Sequence, residues 1–284
     1  MQKADQIKVP TFLKWAGGKQ QLLQQFAKKF PKEVGQYVEP FLGGGAILFY
    51  ILKYKTPQSA KAFDSNQELI NVYLQVKNNL NKLLEQLRIY ETEHNNSEDP
   101  RSYYYTRRIE FNSLKANKLK KAALFIYLNK TCYNGLYRVN SKGEFNVPFN
   151  GSERITLLDE TELREASKLL QKVTIEHRDF RDVEFHKNET VYFDPPYWSE
   201  PKNKGFTKYT NPDFDETAQK NLADLFEKLN KIGCVLVLSN SDTKLIHSLY
   251  KSPEFKRHRI TVRRMINCDG HGRNKIKEIL ITNY

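Results

Sequence analysis

The chain has 284 residues, with 46 lysines and arginines against 33 aspartates and glutamates, and a formal net charge of +13. A balance this basic favours a polyanionic partner such as nucleic acid. The three cysteines are widely separated, which argues against a secreted scaffold held by disulfides. The sequence has no apolar run of about 20 residues, as a membrane-spanning helix would need. We therefore expect a cytoplasmic protein.

The first part of the chain predicts a strand, a glycine turn and a helix. Residues 37–41 are predicted to form a strand, Gly43, Gly44 and Gly45 follow it, and residues 46–52 are helical in pattern. Such a turn lets the backbone approach a ligand closely. A second strand, 60–63, ends at Asp64, about twenty residues past the glycines, where nucleoside-binding α/β sheets place the acid that holds a ribose. The segment therefore predicts a ribose site.

The middle of the chain, from residue 66 to about residue 130, has apolar residues at helical spacing and predicts a helical insertion in the sheet. Residues 101–121 contain seven basic residues against Glu110 alone, with aromatic residues between them. This face suits phosphates, although a solvated helix face explains it nearly as well. The basic residues are Arg101, Arg107, Arg108, Lys115, Lys118, Lys120 and Lys121.

The last part of the chain alternates again between strand and helix patterns, which is typical of a parallel sheet covered by helices. Buried strands are predicted at 173–176, 190–193 and 234–238. Two further runs, 259–265 and 278–282, flank a loop that contains Gly270 and Gly272 and predict a terminal hairpin. The chain is therefore predicted to have an α/β fold.

The tetrapeptide Asp194-Pro195-Pro196-Tyr197 directly follows the apolar run 191–193. It places a carboxylate, a rigid carbonyl and an aromatic ring at one strand end, and these groups can hold an exocyclic amino group on a planar ring. The prolines fix φ and lack N–H groups, so their carbonyls lie outside a sheet ladder. A plain turn is the alternative. The combination with the glycine turn and Asp64 favours the functional interpretation.

Together these motifs resemble the Dam-like family of DNA adenine-N6 methyltransferases, over nearly the whole length. The matching segments are 12–19, 39–45, Asp64, 179–180, 194–197, 238–241 and, most specific, 132–149, which is similar to the family's base-reading hairpin. The resemblance implies a class I methyltransferase fold, a Rossmann-like mixed sheet with a terminal antiparallel hairpin. It also implies an inserted helical target-recognition domain with a β-hairpin, at 67–158, between catalytic parts at 1–66 and 159–284.

The resemblance further implies S-adenosylmethionine as the cofactor and no metal. Trp15 and Lys19 are implied near its methionine end, Asp64 at the ribose, and Asp179 with Phe180 around the adenine; core packing explains Trp15 equally well from its residue type. The full implied cofactor set is Trp15, Ala16, Gly17, Lys19, Glu39, Pro40, Phe41, Gly43, Gly44, Gly45, Asp64, Asp179, Phe180 and Asp194. The implied catalytic residues are Asp194, Pro195, Pro196 and Tyr197.

Double-stranded DNA is the implied partner. Arg138 carries a planar fork that can bond a guanine bidentately, and Lys14 is implied at the first base. The implied DNA-binding residues are Lys14, Asn134, Leu136, Arg138 and Pro148. After Phe149 the chain departs from the family, with residues 150–154 in place of the more usual Gly-Arg-Tyr-Lys. This departure weakens the inference that all four bases of the family's GATC site are read.

We therefore expect a site-specific DNA adenine-N6 methyltransferase that acts on a flipped base. Methylation of RNA adenine or of cytosine N4 is a rival with the same chemistry, and the Arg138 hairpin favours duplex DNA over RNA. A non-catalytic DNA-binding relative is a third hypothesis, and the complete set of cofactor and catalytic positions favours an enzyme over it. We expect a monomer with no obligate protein partner. The sequence leaves open whether the enzyme belongs to a restriction–modification pair.

Overall fold

A computed structural model describes residues 7–157, 159–200, 214–261 and 277–284. The chain divides into two compact units, each built from three segments. The first unit comprises Met1–Gln24, Leu42–Thr56 and Lys61–Asp179, and the second comprises Gln25–Phe41, Pro57–Ala60 and Phe180–Tyr284. The domain boundaries at residues 66 and 158 stay predictions.

The strands of the described residues form one sheet in the order β3-β2-β1-β4-β5-β7-β6. They are β1 (Gln36–Glu39), β2 (Ser59–Asp64), β3 (Val173–His177), β4 (Glu189–Phe193), β5 (Val235–Ser241), β6 (Lys256–Thr261) and β7 (Lys277–Thr282). Strand β4 pairs in parallel with β1 and β5, whereas β7 pairs antiparallel with β5 and β6. The predicted α/β fold, with a mixed sheet and a terminal antiparallel hairpin, is confirmed.

The strand predicted at 259–265 differs in its start from the observed β6. Strand β6 begins at Lys256, because its register with β7 runs from Lys256 opposite Thr282 to Thr261 opposite Lys277. Its first residues are polar and lack the apolar pattern that marks a strand in sequence. The predicted loop with Gly270 and Gly272, and the strand residues after Thr261, lie outside the described residues.

The first unit is mainly helical, as the pattern from residue 66 to residue 130 predicts. Its helices are α2 (Ala46–Tyr54), α3 (Gln67–Asn78), α4 (Leu80–Asn95), α5 (Pro100–Ser113), α6 (Lys118–Thr131) and α7 (Glu160–Leu170), and the short α1 (Leu23–Phe26) crosses the unit boundary. Helix α6 is buried along most of its length and contacts α3, α4 and α5. Asn66 caps α3, since its Oδ1 accepts the N–H groups of Glu68 and Leu69 at 3.1 and 3.0 Å.

The predicted base-reading hairpin runs antiparallel, but its two sides pair only at isolated bridges. These bridges join Cys132 to Phe149 and Val139 to Phe145. A continuous ladder does not form because Asn134 and Gly135 adopt positive φ values of 55° and 62° and because Pro148 has no N–H to donate. The segment is therefore a hairpin-shaped loop fixed by specific contacts.

The second unit contains the helices α8 (Glu216–Ile232) and α9 (Lys244–Leu249) together with most of the sheet. Helix α8 contacts β5, its N-terminus is capped by the carboxylate of Asp215, and its C-cap residue is Gly233, with φ 90°. Across both units, the described helices include none that is long and apolar enough to cross a membrane. Among the same residues, no group of three His, Cys, Asp or Glu side chains could hold a metal ion.

Candidate functional site

The glycine turn and Asp64 lie together at the end of β2, as the sequence predicts. Asp64 accepts the N–H of Gly43 through Oδ2 and the N–H of Asn66 through Oδ1, both at 2.9 Å. Gly43 and Gly45 have positive φ values of 48° and 68°, which glycine adopts without strain. Burial raises the pKa of Asp64, and the two N–H groups act against that rise because they stabilise the charged form. The carboxylate is therefore held in one orientation beside the turn.

Trp15 lies against this turn. A Cβ at Gly43 would come within 3.0 Å of the indole Cδ1, and a Cβ at Gly44 within 3.1 Å of the Trp15 Cβ. The indole also stacks with Tyr137 at a ring-centroid distance of 5.9 Å and with Phe125 at 6.3 Å. Trp15 therefore packs in the first unit and lines the glycine turn at the same time. The two interpretations of this residue are compatible.

The segment from Lys14 to Lys19 is fixed at both ends. Lys19 is only 3% exposed, and its Nζ donates to the carbonyl of Gly17 at 2.6 Å. At the other end, the Asn129 side chain accepts the N–H of Lys14 and donates to its carbonyl, both at 2.8 Å. Asn129 also donates to the carbonyl of Gly135 at 3.0 Å. Asn129 thereby joins two segments that are predicted to bind DNA. The sequence analysis does not predict this role, although Asn129 is a lone asparagine in the apolar part of α6.

Further predicted cofactor residues lie in the second unit. Glu39 is 2% exposed at the end of β1, and its Oε2 accepts the hydroxyl of Tyr37 at 2.6 Å. After Pro40, the ring of Phe41 lies 5.2 Å from that of Phe180, centroid to centroid. The contact brings together two residues that are distant in sequence and are both predicted to bind the cofactor.

The Asp194-Pro195-Pro196-Tyr197 segment begins where the fully buried strand β4 ends. Tyr197 is half-buried, and its hydroxyl donates to Oε2 of Glu278 at 3.0 Å. Burial raises the pKa of Tyr197, and the nearby Asp194 charge raises it further, so the hydroxyl stays protonated. The carbonyl of Pro196 accepts the side-chain amide of Gln219 at 2.9 Å, outside any sheet ladder. A carboxylate, a fixed backbone and an aromatic ring therefore meet here.

The predicted DNA-binding residues of the hairpin are exposed. Asn134, Leu136, Arg138 and Pro148 all lie on its surface. Arg138 donates from Nε to Oδ1 of Asn146 at 2.7 Å and from Nη2 to the Asn146 carbonyl at 3.3 Å. One edge of the guanidinium is thus held by the hairpin, and the Nη1/Nη2 end can point to a planar pair of acceptors.

The basic cluster at 101–121 is partly neutralised within the first unit, a finding that the charge count could not supply. Arg107 and Lys120 both form ion pairs with Glu110, and Lys121 pairs with Glu68 at 3.2 Å. Arg108 lies over a tyrosine ring and donates to the carbonyl of Val147 at 3.2 Å. Three members remain exposed and suited to phosphate, namely Arg101, Lys115 and Lys118.

Comparison with known proteins shows similarity along nearly the whole chain. The model of a family described as D12 class N6 adenine-specific DNA methyltransferases matches residues 15–266. The type II methyltransferase M.MjaIII of Methanocaldococcus jannaschii is 42% identical, over 98% of this chain and 100% of the relative. The type II methyltransferase M1.LlaDCHI of Lactococcus lactis subsp. cremoris is 36% identical, over 99% and 97%. The DNA adenine methylase of Haemophilus influenzae is 35% identical, over 96% and 93%.

Proposed function

The chain belongs to the D12 class of N6 adenine-specific DNA methyltransferases, and from this premise we propose that it methylates N6 of an adenine flipped out of double-stranded DNA. The methyl donor in this proposal is S-adenosylmethionine, and the target lies within the sequence GATC. The observation that supports the proposal most is the Asp194–Tyr197 segment, which follows a buried strand and has its backbone fixed by Gln219.

The residues around Asp64 fit the proposed cofactor. The carboxylate is oriented by the N–H groups of Gly43 and Asn66, and each of its oxygens keeps a lone pair that can accept a ribose hydroxyl. Phe41 and Phe180 present apolar rings that suit an adenine. When bound, S-adenosylmethionine supplies a sulfonium methyl for in-line displacement. We assign the remaining predicted cofactor residues to the same ligand, with Trp15 and Lys19 toward its methionine end.

The role of Asp194 follows from the chemistry of adenine. The N6 lone pair is conjugated into the ring, so the amino group is a poor nucleophile. The Asp194 carboxylate and the Pro195 carbonyl would accept its two N–H groups, which leaves the lone pair directed at the methyl group. Positive charge then develops on nitrogen beside the carboxylate, and Tyr197 would stack on the ring. The product ammonium is acidic and loses its proton late, so Asp194 need not be a strong base.

The exposed hairpin would select the DNA site. Flipping a base costs a few kcal/mol, and contacts elsewhere on the duplex must offset that cost. The free end of the Arg138 guanidinium can bond O6 and N7 of a guanine, and Lys14 lies next to the hairpin turn. Arg101, Lys115 and Lys118 would contact phosphates. We propose a monomer, since these roles need only one chain.

The alternatives are distinguished by which base is methylated, by which nucleic acid carries it, and by whether any methylated base forms. The purified protein is incubated with S-adenosylmethionine and either duplex DNA or RNA, and the nucleic acid is digested to nucleosides for mass spectrometry. We expect N6-methyladenine from the DNA alone. N4-methylcytosine, or methylation of the RNA, would favour the rival substrates. A folded protein that binds both ligands but forms no methylated base would be a non-catalytic relative.

A further inference from the structure

Three side chains hold the backbone that flanks Tyr197. Gln219 on α8 donates from Nε2 to the carbonyl of Pro196 at 2.9 Å. Asn240 on β5 accepts the N–H of Trp198 through Oδ1 at 3.2 Å, and Ser241 donates from Oγ to the carbonyl of Trp198 at 2.6 Å. We call Gln219, Asn240 and Ser241 the latch. It fixes both peptide groups next to Tyr197.

The two amides of the latch are bonded to each other. The Nδ2 group of Asn240 donates to Oε1 of Gln219 at 3.0 Å, and both residues are 0% exposed. Each amide therefore has one defined orientation, because a flip of either would place two donors or two acceptors face to face. Burying such groups is costly unless they are bonded. A buried pair of amides bonded to each other and to the backbone restricts the motion of the loop that it holds.

The side chain of Tyr197 has a separate anchor. Its hydroxyl donates to Glu278 on β7 at 3.0 Å, so the residue is held by its ring and by both neighbouring peptide groups. The contacts come from α8, β5 and β7, all in the second unit. Among the described residues, the hydrogen bonds of the latch join residues of the second unit, whereas the Asp64 turn and the hairpin belong to the first unit. A change in the latch can therefore affect the loop without removing a bond of that turn or of the hairpin.

We propose that Gln219 and Asn240 are positioning residues for methyl transfer, which set the conformation of residues 196–198 and thereby the place of the Tyr197 ring and the Asp194 carboxylate. This inference rests on the proposed function of that loop. Its expected signature is a slower chemical step with intact binding, because a displacement of about 1 Å at a reacting group can cost about 100-fold in rate.

The first test compares two variants of buried glutamines. Gln219→Met keeps the volume but removes the bonds to Pro196 and Asn240. Gln75→Met is the matched control, since Gln75 is 8% exposed and donates to the Asn71 side chain at 3.3 Å, within the first unit. Single-turnover methylation, dissociation constants for S-adenosylhomocysteine and duplex DNA, and melting temperature are measured for each.

We expect Gln219→Met to lower the single-turnover rate by about 10- to 100-fold with both dissociation constants unchanged, and Gln75→Met to keep the wild-type rate. A wild-type rate for Gln219→Met, or equal losses in both variants, would overturn the proposal. Should Gln219→Met fail to fold, Ser241→Ala removes the bonds from Oγ to the Trp198 carbonyl at 2.6 Å and to Oδ1 of Asn240 at 3.4 Å, and a wild-type rate there would likewise overturn it. Failure of the wild-type protein to methylate would instead refute the proposed function.

A second readout separates positioning from simple stability. In Gln219→Glu the introduced carboxyl group can still accept the Nδ2 group of Asn240, but its other oxygen faces the Pro196 carbonyl. Burial and this contact between two oxygens should both raise the pKa of the carboxyl group. Its protonated form can donate to Pro196 as the amide does. We expect the rate of Gln219→Glu, relative to wild type, to rise as pH falls, and the relative rate of Gln219→Met to stay constant. A flat ratio for both variants would contradict a positioning role.

Discussion

The carboxylate of Asp64 accepts the backbone N–H of Gly43 at 2.9 Å, although 21 positions separate the two residues. The bond ties the end of β2 to the first positive-φ glycine of the turn. The acid that we assign to the ribose is therefore oriented before any ligand binds, and little ordering cost remains for the contact.

Replacing Asp64 should weaken cofactor binding. A bond to a charged acceptor is worth roughly 1.5–3 kcal/mol, so Asp64→Ala should raise the dissociation constant for S-adenosylmethionine by roughly 10- to 150-fold in calorimetry. Asp159→Ala is the matched control, because Asp159 also accepts a backbone N–H, that of Glu162 at 3.1 Å. Its loss should cost about 1 kcal/mol of stability as a helix cap and leave affinity unchanged. Unchanged affinity in Asp64→Ala would remove this residue from the site.

Arg138 should determine specificity at one base pair. Arg138→Ala should cost about 1–3 kcal/mol on the cognate site and much less on a duplex already altered at the base pair that it reads. Methylation kinetics on duplexes substituted at each position of GATC measure this. Exposed Lys115 and Lys118 provide the contrast, since their replacement by alanine should weaken binding to all sequences and reduce the salt slope by about one unit per lost contact. A uniform loss for Arg138→Ala would make it a phosphate contact.

His94 should make stability depend on pH. Its side chain is 0% exposed, its Nδ1 is bonded to the Tyr127 hydroxyl at 2.9 Å and its Nε2 to the Ser152 carbonyl at 3.0 Å, and burial lowers its pKa. The unfolded chain therefore takes up the proton at higher pH than the folded chain. The free energy of unfolding should accordingly fall as pH drops through about 6.5 and below.

Urea unfolding at several pH values tests this dependence. His94→Gln should show a smaller loss of stability on acidification than the wild-type protein. His177→Gln is the control, because His177 also bonds a backbone carbonyl, that of Ser65 at 3.0 Å, but is exposed. Equal pH dependence in the wild-type protein and His94→Gln would refute the role of this histidine.

The parts of the fold that sequence predicted are those with a local signal. The glycine turn, Asp64 and the apolar strand before Asp194 each combine residue types that few local structures accept. Gln219 carried no such signal, because a glutamine in a polar helix is usually exposed and its burial depends on packing against residues 196–198. The same holds for Lys121, whose partner Glu68 is distant in sequence. Local sequence patterns identify helices, strands and turns, whereas contacts between side chains distant in sequence depend on the tertiary fold.

We propose that the Asp194 site methylates adenine N6 within GATC. The most direct measurement is modified-base sequencing of DNA from a host that lacks adenine methylation and expresses either the wild-type chain or Asp194→Ala. We expect N6-methyladenine at GATC with the wild-type chain and none with Asp194→Ala, which should still bind S-adenosylmethionine and DNA at least in part. Methylation by Asp194→Ala at the wild-type level, or a wild-type chain that leaves adenine in GATC unmodified, would contradict the account.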